Sequence, residues 1–137
     1  MKVLIDTNVL IDFLANRQPF YDNAEKIMDM CIDGKIDGYL AAHSITNTFY
    51  IMRKVPVNEL RKMLKKVLSF LFVVGIDYEK LISAINNLRF DDIEDCLQSV
   101  CAVNCGAEYI ITRNLEDFKG SEVAAISPNE FISEHKL

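Results

Sequence analysis

The most constraining feature of this 137-residue sequence is a set of short runs that are apolar at nearly every position, not at every second one. Lys2–Ile5, 38–41, 72–74 and 109–111 read this way, and 123–126 adds a fifth, closed by Ser127-Pro128. Such runs suit strands buried on both faces, and sheets covered on both faces are characteristically parallel. Segments of helical period lie between them. Ala24, Ile27, Met28 and Cys31 form one, ended by Asp33-Gly34, and residues 44–53 form another. Leu60, Met63, Leu64, Val67, Leu68 and Leu71 make the clearest amphipathic stripe. Leu81, Ile82 and Ile85 mark a further helix. Ile93, Cys96, Leu97, Val100, Cys101 and Val103 mark the last, which stops near Gly106. Strands joined through helices demand parallel crossovers, hence an α/β sandwich with a central sheet of 4–5 strands. Ligands of such sheets bind beyond the carboxyl ends of the strands.

Half the residues are hydrophobic and 26% are charged, which excludes a disordered or collagen-like chain. The length suits one domain, and no Pro/Gly/Ser linker or repeat divides it, so a single domain over 1–137 is expected. The longest nearly apolar stretch, 67–76, falls far short of the roughly 20 residues of a membrane span. Asp6 cuts off the first apolar run, so no secretory leader is expected. Three of the four cysteines (31, 96, 101 and 105) fall in one predicted helix, which reads as buried thiols of a reducing cytoplasm, not a disulfide framework or a zinc site.

The acidic residues are placed with more system. Asp6 directly follows the first strand, where a side chain faces the ligand crevice; helix capping by Asp6 or Thr7 is the competing reading. In Asp91-Asp92-Ile93-Glu94-Asp95, Asp91 and Glu94 have the form of a capping box. Asp95 is left over, entering the apolar face on the same helical side as Asp92 and Ser99. A carboxylate near a buried face is costly without a positive partner, and a divalent cation is an economical one. The third group follows the fourth strand, with Asn114 and Asp117 as oxygen donors in Thr112-Arg113-Asn114-Leu115-Glu116-Asp117-Phe118; a polar turn is the alternative. Together these segments would deliver Asp6, Asp95 with Asp92, and Asp117 to one end of one sheet. Carboxylates without His or thiolate at ligand spacing suit Mg²⁺ or Mn²⁺, and with it phosphodiester hydrolysis.

Leu4-Ile5-Asp6-Thr7-Asn8-Val9-Leu10-Ile11-Asp12, Asp92-Ile93-Glu94-Asp95-Cys96-Leu97-Gln98 and the 111–118 segment together resemble the PIN-domain ribonucleases, and within them the VapC-like toxins of bacterial toxin–antitoxin pairs. The motifs come in that family's order and spacing. The resemblance implies a three-layer sandwich and a Mg²⁺- or Mn²⁺-dependent endoribonuclease with catalytic acids at Asp6, Asp95 and Asp117, Asn114 close by and Thr112 supporting the metal site. It also implies a cognate antitoxin and a homodimer. One position departs: the family's second acid, early in the helix after strand two, matches Asn47. An amide ligates through oxygen but adds no charge, so a lower Mg²⁺ affinity is expected, with Asp92 as a substitute. The alternative is a catalytically weak module that binds RNA or protein.

Arg53, Lys54, Arg61, Lys62, Lys65 and Lys66 carry six positive charges between 53 and 66 against Glu59 alone, in a chain of net charge −5. A solvated helix face explains them by themselves; beside an acidic metal site they become phosphate contacts for RNA, with Arg113 added from the third motif. His43 suits a helix start. A phosphatase or receiver domain fits poorly, because position 8 is Asn and Asp77 follows Val74-Gly75-Ile76.

Overall fold

A computed structural model describes residues 1–135. The elements run β1 (Lys2–Ile5), α1 (Thr7–Leu14), α2 (Tyr21–Ile32), β2 (Asp37–Ala41), α3 (Ala42–Ile51), α4 (Val57–Val67), β3 (Phe72–Val74), α5 (Tyr78–Ile85), α6 (Ile93–Cys105), β4 (Tyr109–Ile111), a 3-10 turn (Leu115–Phe118), β5 (Ala124–Ile126) and α7 (Pro128–Glu134). The five strands form one parallel sheet in the order β3-β2-β1-β4-β5. All five expected strands are present, with boundaries shifted by one residue at most.

Period-two geometry sorts each strand between two cores. Val3, Ile5, Leu40 and Ile111 point to one face, where they meet Val9 and Leu10 of α1, Ile27 and Met28 of α2, Leu64 of α4 and Phe131 of α7. Leu4, Ala41 and Ile110 point to the other, against Cys101 and Ala102 of α6. Helices thus cover both faces of the sheet, completing three layers. Close approach is built in at Gly38, where a Cβ would stand 2.6 Å from Cys31 Sγ.

Several helices differ in detail from their sequence patterns. α4 ends at Val67, so Leu68 is exposed and Leu71 reaches the core from the turn beyond. α5 forms, but Leu81, Ile82 and Ile85 face outward and only Ala84 is buried. α6 is capped by Asp92, not by an Asp91–Glu94 box; Asp92 Oδ1 accepts from the backbone N–H groups of Glu94 (2.8 Å) and Asp95 (3.1 Å). Gly106 closes α6 at φ 74°, the left-handed position that favours glycine. α7 carries no apolar stripe long enough to mark it in sequence, although Ser127-Pro128 before Glu130 is a helix-start signature, and Ser127 Oγ accepts from Glu130 N–H. The four thiols are unpaired, and burial pushes the Cys31 thiol up to about 12.

Candidate active site

β1 ends at Ile5, and the next backbone N–H, that of Asp6, continues the ladder to Ile111 O (3.0 Å). This carries Asp6 past the carboxyl ends of the two central strands, where it is 3% exposed. It occupies the N-cap position of α1, yet its carboxylate makes no capping hydrogen bond. Gln98 Nε2 donates to Oδ1 (2.8 Å) and Thr112 Oγ1 to Oδ2 (2.8 Å). Burial pushes the Asp6 carboxyl upward and the hydrogen bonds from Gln98 and Thr112 pull it back.

Asp12, within α1, shows what a charge-matched buried acid looks like. Asp12 is 1% exposed and is met by two guanidinium groups: Arg17 Nε at 2.9 Å from Oδ1, and Arg113 Nε at 2.6 Å from Oδ2. Arg113 also stacks on Phe20, 3.8 Å from the ring centre. Asp12 is charge-matched, whereas the hydrogen bonds to Asp6 come from neutral donors. A buried carboxylate held by neutral groups alone lacks the partner that burial normally demands.

Asp95 lies in the first turn of α6, half-buried. Its carboxyl is pushed up to about 7, chiefly by burial and then by the negative charges of Asp92, Asp117 and Asp6. Acids from three remote segments therefore bear on Asp95 at one end of the sheet. Asp117 reaches it from the 3-10 turn. That turn is anchored through Thr112, whose Oγ1 accepts from Asn114 N–H (2.9 Å) while donating to Asp6. A cavity of about 250 Å³ opens between Asp92, Asp95, Glu116 and Asp117, with Arg89 and Lys119 on its rim. Lys119 pairs with Glu116 at 2.6 Å.

α3 closes another side. Ser44 and Thr7 share a hydrogen bond (2.6 Å), and His43 Nε2 donates to Glu94 O (3.1 Å), bracing the first turn of α6. Burial pushes the His43 imidazole downward. Asn47 is half-buried one turn along α3 from this pair. Ser99, which shares a helical side with Asp95 in sequence, instead bonds Ser121 (2.7 Å).

The basic positions are less gathered. Arg61, Lys62, Lys65 and Lys66 line the exposed side of α4, opposite Leu60, Leu64 and Val67. Since α4 leads into the amino end of β3, Lys65 and Lys66 lie toward the end of the sheet away from the acids. Arg53 stacks on Tyr50 (4.5 Å), and Arg113 is committed to Asp12. Gln98, Asp12, Arg17, Arg89 and Lys119 are participants or neighbours that sequence reasoning missed. The cues for Gln98 were its place one turn beyond Asp95 and a polar side chain among Cys96, Leu97 and Cys101.

Among the described residues no three His, Cys, Asp or Glu side chains form a ready-made metal cage. The donor set still fits a hard cation. Mg²⁺ and Mn²⁺ favour carboxylate oxygens and bind through one or two of them, completing the shell with water and substrate phosphate.

Comparison with known proteins agrees with this architecture. A family model described as PIN domain matches residues 2–116. Ribonuclease VapC1 of Aquifex aeolicus is 24% identical over 134 residues, covering 95% of this chain and 92% of that protein. VapBC2 of Rickettsia felis, solved on a promoter DNA fragment, superposes with TM-score 0.68 at 14% identity, covering 93% of this chain and 98% of that one. A toxin–antitoxin complex from Klebsiella pneumoniae gives TM-score 0.69 at 18% identity, covering 92% and 97%.

Proposed function

The chain belongs to the PIN domain family, and from that premise we propose that it is a Mg²⁺- or Mn²⁺-dependent endoribonuclease, the toxin of a toxin–antitoxin pair in the cytoplasm. One observation carries the reading most directly: Asp6 is buried on neutral donors, and its charge joins those of Asp92 and Asp117 in disfavouring ionised Asp95. A site this short of positive charge is matched to a cation. The names of the curated relative and of the solved toxin–antitoxin complexes support the biological role.

Asp6, Asp95 and Asp117 would hold the cation, with Asn114 as a neutral oxygen donor and Asp92 adding charge while it caps α6. The bound ion supplies water activation and neutralisation of developing phosphate charge. The chain's own groups do the rest. Gln98 and Thr112 fix Asp6, His43 braces the turn carrying Asp95, and Thr112 anchors the loop that carries Asp117. Arg89 and Lys119 stand on the cavity rim, where a phosphate backbone would pass. Arg53, Lys54 and the exposed basic side of α4 offer further phosphate contacts on a separate surface, and Arg113 holds the loop through Asp12. Asn47, in place of a further acid, lowers cation affinity without removing the centre. Pairing with an antitoxin and with a second copy of the chain belongs to the same proposal. Among the described residues no helix is long and apolar enough to cross a membrane.

The direct test is cleavage of total cellular RNA by purified protein with Mn²⁺, with EDTA, and with Asp95→Asn, checking the fold by circular dichroism. Cleavage is expected only with Mn²⁺ and intact Asp95. Cleavage that persists in EDTA or in folded Asp95→Asn would sink the proposal.

A further inference from the structure

Gln98 has surroundings that folding alone does not explain. It projects from α6, is 2% exposed, and donates from Nε2 to Asp6, while its Oε1 is buried without a hydrogen-bond partner. Leaving a buried carbonyl unmatched is destabilising, because nothing replaces the water it gives up. An apolar side chain would avoid that cost, and Cys96, Leu97, Cys101 and Ala102 show that such groups supply most of the buried positions of α6. The amide cannot simply turn over, because Oε1 would then face the Asp6 carboxylate, and a carboxylate has no proton to donate. His43 Nδ1 is likewise buried without a partner, so among the described residues the orphaned polar atoms belong to two side chains bracing the acids. Buried polar groups left unsatisfied call for a reason beyond packing.

The donor's chemistry supplies one. An Arg or Lys at this place would neutralise Asp6 as Arg17 and Arg113 neutralise Asp12. A Glu would repel it. A neutral amide grips one carboxylate oxygen and leaves the charge intact. We infer that Gln98 is a positioning residue for the cation: with Thr112 it holds both oxygens of Asp6, fixes the carboxylate's rotation and leaves its charge for a divalent ion. The inference rests on the metal-dependent reading above. It assigns Gln98 to binding, with stability given up for it. Outer-shell partners of metal ligands typically carry 10–100-fold in affinity.

Gln98→Met and Gln98→Leu test this, since both fill similar space without donor or orphaned acceptor. Melting temperature without metal and Mn²⁺ affinity by calorimetry are measured on each, beside the parent and Asp6→Asn. The expected result is a melting temperature equal to or above the parent's, with Mn²⁺ bound at least 10-fold more weakly. A lowered melting temperature with unchanged Mn²⁺ affinity would make Gln98 a structural tie and overturn the inference. Failure of both variants to fold would overturn it equally, because the amide would then be holding the fold. Unchanged Mn²⁺ binding in Asp6→Asn would instead overturn the metal reading beneath it.

Discussion

Asp6 at the start of α1 and Asp12 within it are both buried, yet opposite surroundings give them opposite work. Two arginines neutralise Asp12, one of them from the loop after β4; two neutral donors leave the charge of Asp6 unmatched. Asp95 extends the contrast, because burial and then the charges of neighbouring acids make its ionised form costly. Its carboxyl moves from the ordinary 3.8 up to about 7 on folding. An acid raised in the folded state imposes no penalty below pH 4, a growing one between 4 and 7, and a full one above 7. Asp95→Asn is therefore expected to melt higher than the parent at pH 8 in the absence of metal. The gain is on the order of 1 kcal/mol, since solvent screens a half-buried group. At pH 4 the two should melt together. Equal melting temperatures at both pH values would show that neither burial nor the neighbouring acids penalise the ionised form of Asp95.

At the scale of elements, α6 does two jobs with one segment, and Asp92 belongs to both. Its carboxylate caps the helix through two amides and also raises the electrostatic cost of Asp95. The two roles separate by substitution. Asp92→Asn keeps a good cap and removes the charge, so stability should hold while Mn²⁺ affinity falls. Asp92→Ala should lose about 1 kcal/mol of stability as well. Identical denaturation midpoints for the two variants would remove the cap from the account. Sequence periodicity exposed α6 and α4 clearly, because one side of each is apolar over several turns. It misjudged the exposure of Leu68, Ile82 and Ile85, since a stripe does not reveal whether anything lies against it.

Across the whole molecule, a chain of net charge −5 keeps +5 between residues 53 and 66, leaving −10 elsewhere. The basic and acidic regions lie on different elements, so RNA affinity and cation affinity should be separable. Replacing Arg61, Lys62, Lys65 and Lys66 with Gln is expected to weaken RNA binding and flatten its dependence on salt, since fewer counterions are released. Mn²⁺ affinity should stay at the parent value. An unchanged salt slope would mean that this side of α4 is solvated surface only.

Local chemistry determined the elements, their parallel arrangement and the arrival of acids at strand ends. Apolar runs, helical stripes and turn residues act over a few positions and are written in order along the chain. Tertiary structure decided which charges meet. Asp12 finds Arg113 at a separation of 101 residues, and Asp6 finds Gln98 at 92 and Thr112 at 106. Arg17, five residues from Asp12, is the one nearby cue, and the partners that complete the contrast between Asp12 and Asp6 lie about a hundred residues away. That difference arises when the parallel sheet brings the first and last thirds of the chain together, and burial then makes each carboxylate's partner decide its role.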